Sequence, residues 1–314
     1  MANVDSAAIK AQAQAVGFHL VGIAAIDSAA IETTAERLEQ WLALGYQAEM
    51  NWMTNPRRRD PRLVVPNVRS VIAVALNYYQ PQPRPTGDQY AKISRYAWGK
   101  DYHKVLEKKL KQLTQWLQAV SPTSTFKLYT DTGPIGDKVW AEAAGLGWIG
   151  KNGNLITRQY GSWVFLGEIL TDLELAADRP HDQHCGTCTR CLTACPTQAI
   201  AAPFVVDANR CIAYHTIENR AAQLPAPIAN NLAGWVAGCD ICQDVCPWNQ
   251  RFAQPTDVIE FTADDTRIQV TLSDLAELTD ADWQQRFTGS ALKRIKPPMF
   301  RRNAQANLDG LAHD

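Results

Sequence analysis

No stretch of these 314 residues approaches the roughly 18 to 20 consecutive apolar side chains that crossing a bilayer requires. The residues from Met1 to Gln14 are polar and alanine-rich, with no apolar centre of the kind a secretory signal needs. Without a signal there is no oxidising destination, so disulfides are not expected and the compartment is read as reducing and cytoplasmic. Charge of one sign is missing too. A formal net charge of -1 gives no global basic field, so a nucleic-acid partner has to be met by a local patch. There is no internal repeat apart from one doubled cysteine motif, and no dinucleotide fingerprint. Gly145-Leu-Gly-Trp-Ile-Gly150 has the spacing of one, but it follows an expected helix and precedes a strand, the reverse of a Rossmann turn.

What is present is concentrated. All eight cysteines fall in the C-terminal half, as Cys185-x2-Cys188-x2-Cys191-x3-Cys195-Pro196, then Cys211, then Cys239-x2-Cys242-x3-Cys246-Pro247. Zinc uses groups of four ligands, but it does not call for three cysteines in x2-x2 register and two x3-Cys-Pro endings. Iron-sulfur cubanes do, because a tight loop aims successive sulfurs at one cluster while the cysteine before proline reaches the other. On that logic Cys185, Cys188, Cys191 and Cys246 hold one 4Fe-4S cluster and Cys195, Cys211, Cys239 and Cys242 the second. No cysteine is left over.

The apolar share of 46% and charged share of 20% are those of a soluble globular protein, and the length suggests about two to three domains. Strands are expected at Phe18–Ile26, Arg69–Asn77, Phe126–Thr130, Asn154–Thr157 and Trp163–Leu170. Helices are expected over residues 5–16, 35–44, from Tyr102 to Val120, and up to about Ala144, with Leu106, Leu110, Leu113 and Leu117 on one core-facing stripe. The division is an α/β domain over 1–175, a ferredoxin-like two-cluster module over 176–256, and a short helical, basic region over 257–314. Two clusters only hold electrons. The long N-terminal domain therefore needs a second redox group or a substrate site of its own.

The run Asp131-Thr-Gly-Pro-Ile-Gly-Asp-Lys-Val-Trp-Ala-Glu-Ala-Ala-Gly-Leu-Gly-Trp-Ile-Gly-Lys-Asn152 and the run Ile93-Ser-Arg-Tyr-Ala-Trp-Gly-Lys-Asp-Tyr-His103, followed by the displaced Cys211 between the two cysteine blocks, resemble the epoxyqueuosine reductase family. The likeness covers residues 5 to 305, and the cobalamin-dependent reductive dehalogenases are relatives of that family. It implies a nitroreductase-like cobalamin-binding domain joined to a ferredoxin module. It also implies reduction of an epoxide on a modified guanosine of the tRNA anticodon loop, with electrons from an external donor. Such deoxygenation needs two electrons and protonation of the departing oxygen, so the chain's own chemical part is a proton.

The resemblance points to Asp131 as that proton donor, which would require a carboxyl raised above its ordinary range by burial; without it, Asp-Thr-Gly-Pro also reads as plain turn chemistry. Asp137 reads as a first-turn helix residue. Arg95, Tyr96 and Tyr102 are expected to line the corrin, and Gly150 and Leu155 to bring backbone against it. His103 is expected to line the corrin beside them, and neither His103 nor His215 is taken as a cobalt ligand. Arg57-Arg58-Arg59 and the run from Lys293 to Arg302 are the densest basic groups, and so the candidates for tRNA phosphates. Competing expectations are a reductive dehalogenase and a non-catalytic electron carrier; the first usually brings a twin-arginine leader, and the second leaves the N-terminal domain without a purpose.

Overall fold

The computed structural model describes residues 5–312; the first four residues, part of the N-terminal reading above, and the last two lie outside the described residues. Asp5 caps the first helix, Ser6–Ala15, by accepting from the Ala8 N–H. Gly17, at φ +92°, then turns the chain into the strand Leu20–Ala25. Four strands form one sheet in the order Leu20–Ala25, Ser70–Asn77, Val164–Thr171, Phe126–Tyr129, and each neighbouring pair is antiparallel. Ser70–Asn77 is buried along its whole length, so both faces of the sheet are covered.

One face packs on the helix Tyr102–Val120, whose Leu106, Leu110, Leu113 and Leu117 are wholly buried with Ile72, Val74 and Ile169. The other face packs on the helix Asp137–Ala143 through Trp140 and Ala141, against Val71, Ala73 and Leu170. The result is a three-layer α/β/α arrangement, with the expected strands displaced by one or two residues at their ends. The helix expected over 35–44 starts earlier, running Ser28–Ala43.

A second core joins Ile93 and Trp98 to Val236 and Ala237 and to Leu272, Leu275, Phe287 and Phe300. Residues beyond 257 therefore bury their apolar side chains against segments from the first hundred residues and from the cysteine module. The short strand Trp235–Ala237 pairs in parallel with Lys92–Ile93. The terminal helix, Pro297–Leu311, closes this core within the region expected to be helical and basic, and it begins at Pro297-Pro298. Prolines in a helix's first turn give up only N–H groups that have no intrahelical partner. Among the described residues no helix is long and apolar enough to cross a membrane.

Candidate functional site

A cavity of about 950 Å³ opens between the α/β layers and the second core, walled by Tyr96, Tyr102, Tyr129, Asp131, Ile217 and Arg294 among others. Asp131 reaches it from the end of the strand Phe126–Tyr129. Its backbone sits at φ +57°, a left-handed conformation that aspartate tolerates better than most residues and that costs about 1–2 kcal/mol. Two donors converge on its Oδ2: the Tyr102 hydroxyl at 2.7 Å and His103 Nε2 at 3.1 Å. Behind His103, Nδ1 lies 2.7 Å from Asp101 Oδ1, which also accepts the His103 backbone N–H as N-cap of the leucine helix. Tyr102 is held flat against Phe165, with ring centroids 4.2 Å apart, and against His103 at 4.0 Å. The first turn of one helix thus delivers three polar groups to one point.

Burial works against charge on His103, but the hydrogen bonds it donates to Asp101 and Asp131 outweigh it and raise its pKa to about 9. Burial raises the Asp131 carboxyl, yet the bonds from His103 and Tyr102 prevail and hold it below its ordinary value. Tyr102 is pushed up by burial and by the Asp131 charge. The sequence expectation of a raised Asp131 is therefore reversed in this state. At neutral pH the proton rests on His103, and the Asp131 side chain is 58% exposed to the cavity.

Beneath the loop from 130 to 137 lies a second acidic pair that sequence reading missed. Glu168, on the central strand Val164–Thr171, is fully buried, and neither carboxyl oxygen has a donor partner from another group. Burial and the neighbouring Asp137 raise Glu168 well above the usual carboxylate range; Asp137 is itself raised, first by burial. Two charged carboxylates in one dry site repel, so ionisation of one disfavours ionisation of the other. The signal was a lone charge in Trp163-Val-Phe-Leu-Gly-Glu168-Ile-Leu170, an otherwise apolar strand. Arg58 pins the same loop by donating to the Ile135 carbonyl at 3.1 Å.

The eight thiols separate into two groups of four. Cys185, Cys188, Cys191 and Cys246 line a cavity of about 160 Å³ with Trp248 and Lys151. Cys195, Cys211, Cys239 and Cys242 line another of about 330 Å³. Asn152 is a wall of both, while Tyr96 and Ile217 are walls of the second thiol cavity and of the large cavity. The three spaces therefore follow one another in a row. Backbone N–H groups face the sulfurs, as where Ala199 donates to Cys195 Sγ at 3.2 Å.

Of the residues expected at a corrin, Tyr96, Tyr102 and His103 line the large cavity. Three others are occupied elsewhere. Arg95 Nη1 donates to the carbonyls of Gln80 and Gln82, and its guanidinium lies over the Trp98 ring at 4.5 Å. Leu155 is 3% exposed in the sheet core, and a side chain at Gly150 would meet Ile156 at 2.5 Å. The glycine turn serves close packing of the Trp148–Ile149 and Leu155–Ile156 strands, since a Cβ on Gly147 would stand 2.1 Å from the Ile156 carbonyl oxygen. His215 has both ring nitrogens engaged, by Asn209 and Asn219. The same is true of His103, so neither histidine offers a free nitrogen to a metal.

The basic run divides. Lys293 and Arg294 line the large cavity, with Arg294 held by both oxygens of Glu218 and lying 5.7 Å over the ring of exposed Trp52. Arg302 faces inward, donating to the carbonyls of His215, Asn219 and Ala221, and Arg301 donates to that of Leu278. These two cations are spent on capping backbone and leave the set of phosphate candidates. Arg59 pairs with Glu39 at 3.1 Å, whereas Arg57 is exposed.

The family model described as "Epoxyqueuosine reductase QueG, DUF1730" matches residues 58–132, and a 4Fe-4S double cluster binding domain matches 184–249. An epoxyqueuosine reductase of Synechocystis sp. is 64% identical over 288 residues, 92% of this chain and 100% of its own. Among solved structures, an epoxyqueuosine reductase with an epoxyqueuosine-modified tRNA-Tyr stem loop superposes with a TM-score of 0.87 at 30% identity, covering 96% of this chain and 80% of that one. The Bacillus subtilis epoxyqueuosine reductase with its catalytic aspartate loop swung out of the active site gives 0.86 at 29%, with the same coverage.

Proposed function

The chain belongs to the epoxyqueuosine reductase family, and from that premise we propose that it reduces epoxyqueuosine in tRNA to queuosine in the large cavity, with Asp131 as proton donor. The observation that carries the reading is the junction at Tyr96 and Ile217. There the second thiol cavity and the cavity of Asp131, His103 and Tyr102 share walls, so electrons and protons are delivered to one space. Removing the epoxide oxygen as water consumes two electrons and two protons and leaves the alkene.

The donor sets fit iron-sulfur clusters: four soft thiols surround each small cavity, Cys185, Cys188, Cys191 and Cys246 at the first, Cys195, Cys211, Cys239 and Cys242 at the second. The large cavity suits a planar macrocycle, having aromatic side chains, Tyr96, Tyr102 and Tyr129, in its lining. Cobalamin, when bound, supplies a strong one-centre reductant, with Tyr96 and Tyr102 as the residues that would hold it.

The chain's own residues manage the proton. Tyr102 and His103 fix the Asp131 carboxyl at Oδ2, and His103 holds the proton at Nε2. Covering the open side of Asp131 with bound groups strips its water, which raises a carboxyl and draws the proton across from His103 to Asp131. From there it passes to the departing oxygen. The test is anaerobic incubation of reconstituted protein with tRNA from cells lacking the activity, followed by nucleoside mass spectrometry. Conversion of epoxyqueuosine to queuosine is expected, and unchanged epoxyqueuosine with both clusters reduced would overturn the reading.

A further inference from the structure

Around the first thiol cavity basic residues outnumber acids, which stand only at the edges of the lining segments, as Asp182 and Asp244 do. Although 32 of its 314 residues are Asp or Glu, the three stretches that enclose Cys185, Cys188, Cys191 and Cys246, namely 143–167, 183–206 and 245–256, contain none. The same stretches carry Lys151, Arg158, Arg190 and Arg251. Lys151 lies beneath the cysteine loop, donating to the carbonyls of Gly186 and Cys188 at 2.7 and 2.9 Å. The three arginines are exposed, and their contacts are with neutral groups: Arg158 with His184 at 3.1 Å, Arg190 with Gln250 at 3.3 Å, Arg251 over the Phe252 ring at 5.3 Å. Among the described residues no carboxylate pairs with any of them. Of the two acids nearest the cysteine loops, Asp244 is taken up by Arg84 at 2.8 Å, and Asp182 is exposed. In a chain of net charge -1 this is a deliberate local field.

We propose that this surface docks an acidic one-electron carrier protein, of the [2Fe-2S] ferredoxin kind, over the first cluster. The inference rests on the proposed function. The row of cavities gives the direction, because the first thiol cavity is at the end farthest from Asp131 and its loop residues Gly186 and Thr187 are exposed. A one-electron carrier suits this site because a cubane accepts electrons singly. At each docking the carrier is oxidised by one electron and the first cluster reduced by one; two dockings serve one epoxide. An acidic face is required by charge complementarity, which chiefly accelerates encounter and makes it salt-dependent.

The test uses the cluster-loaded full chain and a reduced acidic [2Fe-2S] ferredoxin. Arg158 and Arg251, which do not line the cluster cavity, are changed together to Glu, and separately together to Gln, with iron content as the folding control. Stopped-flow absorbance gives the rate of cluster reduction, and titration with oxidised ferredoxin gives binding without turnover. For wild type the rate is expected to fall with rising salt. The Glu variant should be slower at low salt by about tenfold or more, with weaker ferredoxin binding and a reversed salt trend, and the Gln variant intermediate. Reduction by dithionite and dithionite-driven conversion of epoxyqueuosine tRNA should stay as in wild type. Equal ferredoxin rates in all three proteins would overturn the proposal, as would a raised KM for tRNA under dithionite, which would make the patch an RNA contact. If ferredoxin reduces the clusters with the expected salt dependence but no queuosine forms, the docking surface stands and the functional reading fails.

Discussion

The Tyr102 hydroxyl donates to Asp131 Oδ2 at 2.7 Å while its ring lies nearly parallel to Phe165, at 6°. A core contact thereby aims a hydrogen bond at the one backbone position in the loop that sits in left-handed space, and two kinds of precision, packing and polarity, meet in one side chain.

Asp131→Asn is the cleanest probe of this arrangement. Asparagine also tolerates the left-handed conformation, so the loop should keep its shape and both clusters their iron. Conversion of epoxyqueuosine is expected to drop about 10²-fold or more, the usual scale of general acid catalysis. Nucleoside analysis of single-turnover reactions checks it, and wild-type rates would return Asp131 to the role of a turn residue.

The imidazolium of His103 sets a pH limit. A histidine raised from 6.5 to about 9 contributes stability that is fully present below 6.5 and lost as pH rises through about 9. Turnover should decline over the same upper range, because the stored proton is gone. His103→Gln keeps a donor toward Asp131 but cannot titrate, and its slower turnover should lack that alkaline limb.

Glu168 shifts in the same direction for a different reason, burial of its own charge. Its carboxyl is raised in the folded chain, so the native state binds a proton that the unfolded chain releases, and stability falls as pH climbs above its ordinary value of 4.5. Glu168→Gln removes that cost while keeping the volume. Its apparent melting temperature should exceed that of the wild type by a margin that grows from pH 5 to pH 8.5 in thermal melts.

Each thiol group should fail separately. Two cubanes give about eight irons per chain; Cys246→Ala is expected to lose the first cluster and Cys211→Ala the second, leaving about four irons each by colorimetric assay. Loss of all iron in both variants would mean a single cooperative site.

For tRNA, Arg57→Ala with Lys293→Ala should weaken binding and lower the slope of log affinity against log salt by about 0.7 to 0.9 per lost phosphate contact. Arg302→Ala should instead lower thermal stability and leave that slope alone, since its donors already hold three carbonyls. Binding isotherms at several salt concentrations separate the two effects.

Spacing made the thiols legible because covalent chain length restricts which sulfurs can reach one cluster, and the leucine stripe was legible because helical period and burial coincide. The wall of the large cavity was only half legible. Tyr96 and Tyr102 line it, but Arg95 turns toward Gln80 and Gln82, an orientation fixed by loop carbonyls brought from thirteen or fifteen residues away. His103 was visible as a residue yet not as the holder of the proton, because its state depends on Asp101 and Asp131 arriving on opposite ring nitrogens. Arg301 and Arg302 look like solvent charges in one dimension, and their carbonyl partners exist only after the second core has closed.

That closure also orders assembly in time. Asn303 and Asn307 of the terminal helix bond the carbonyls of Thr216, Val236 and Trp235, which lie between Cys211 and Cys239. The helix is translated after every cysteine, so a nascent chain can present Cys185, Cys188, Cys191 and Cys246 before the frame around Cys211 and Cys239 is locked. The frame around the second site is therefore completed by the last-made segment, and a chain interrupted before residue 297 would lack the side chains that hold Thr216, Trp235 and Val236 in place.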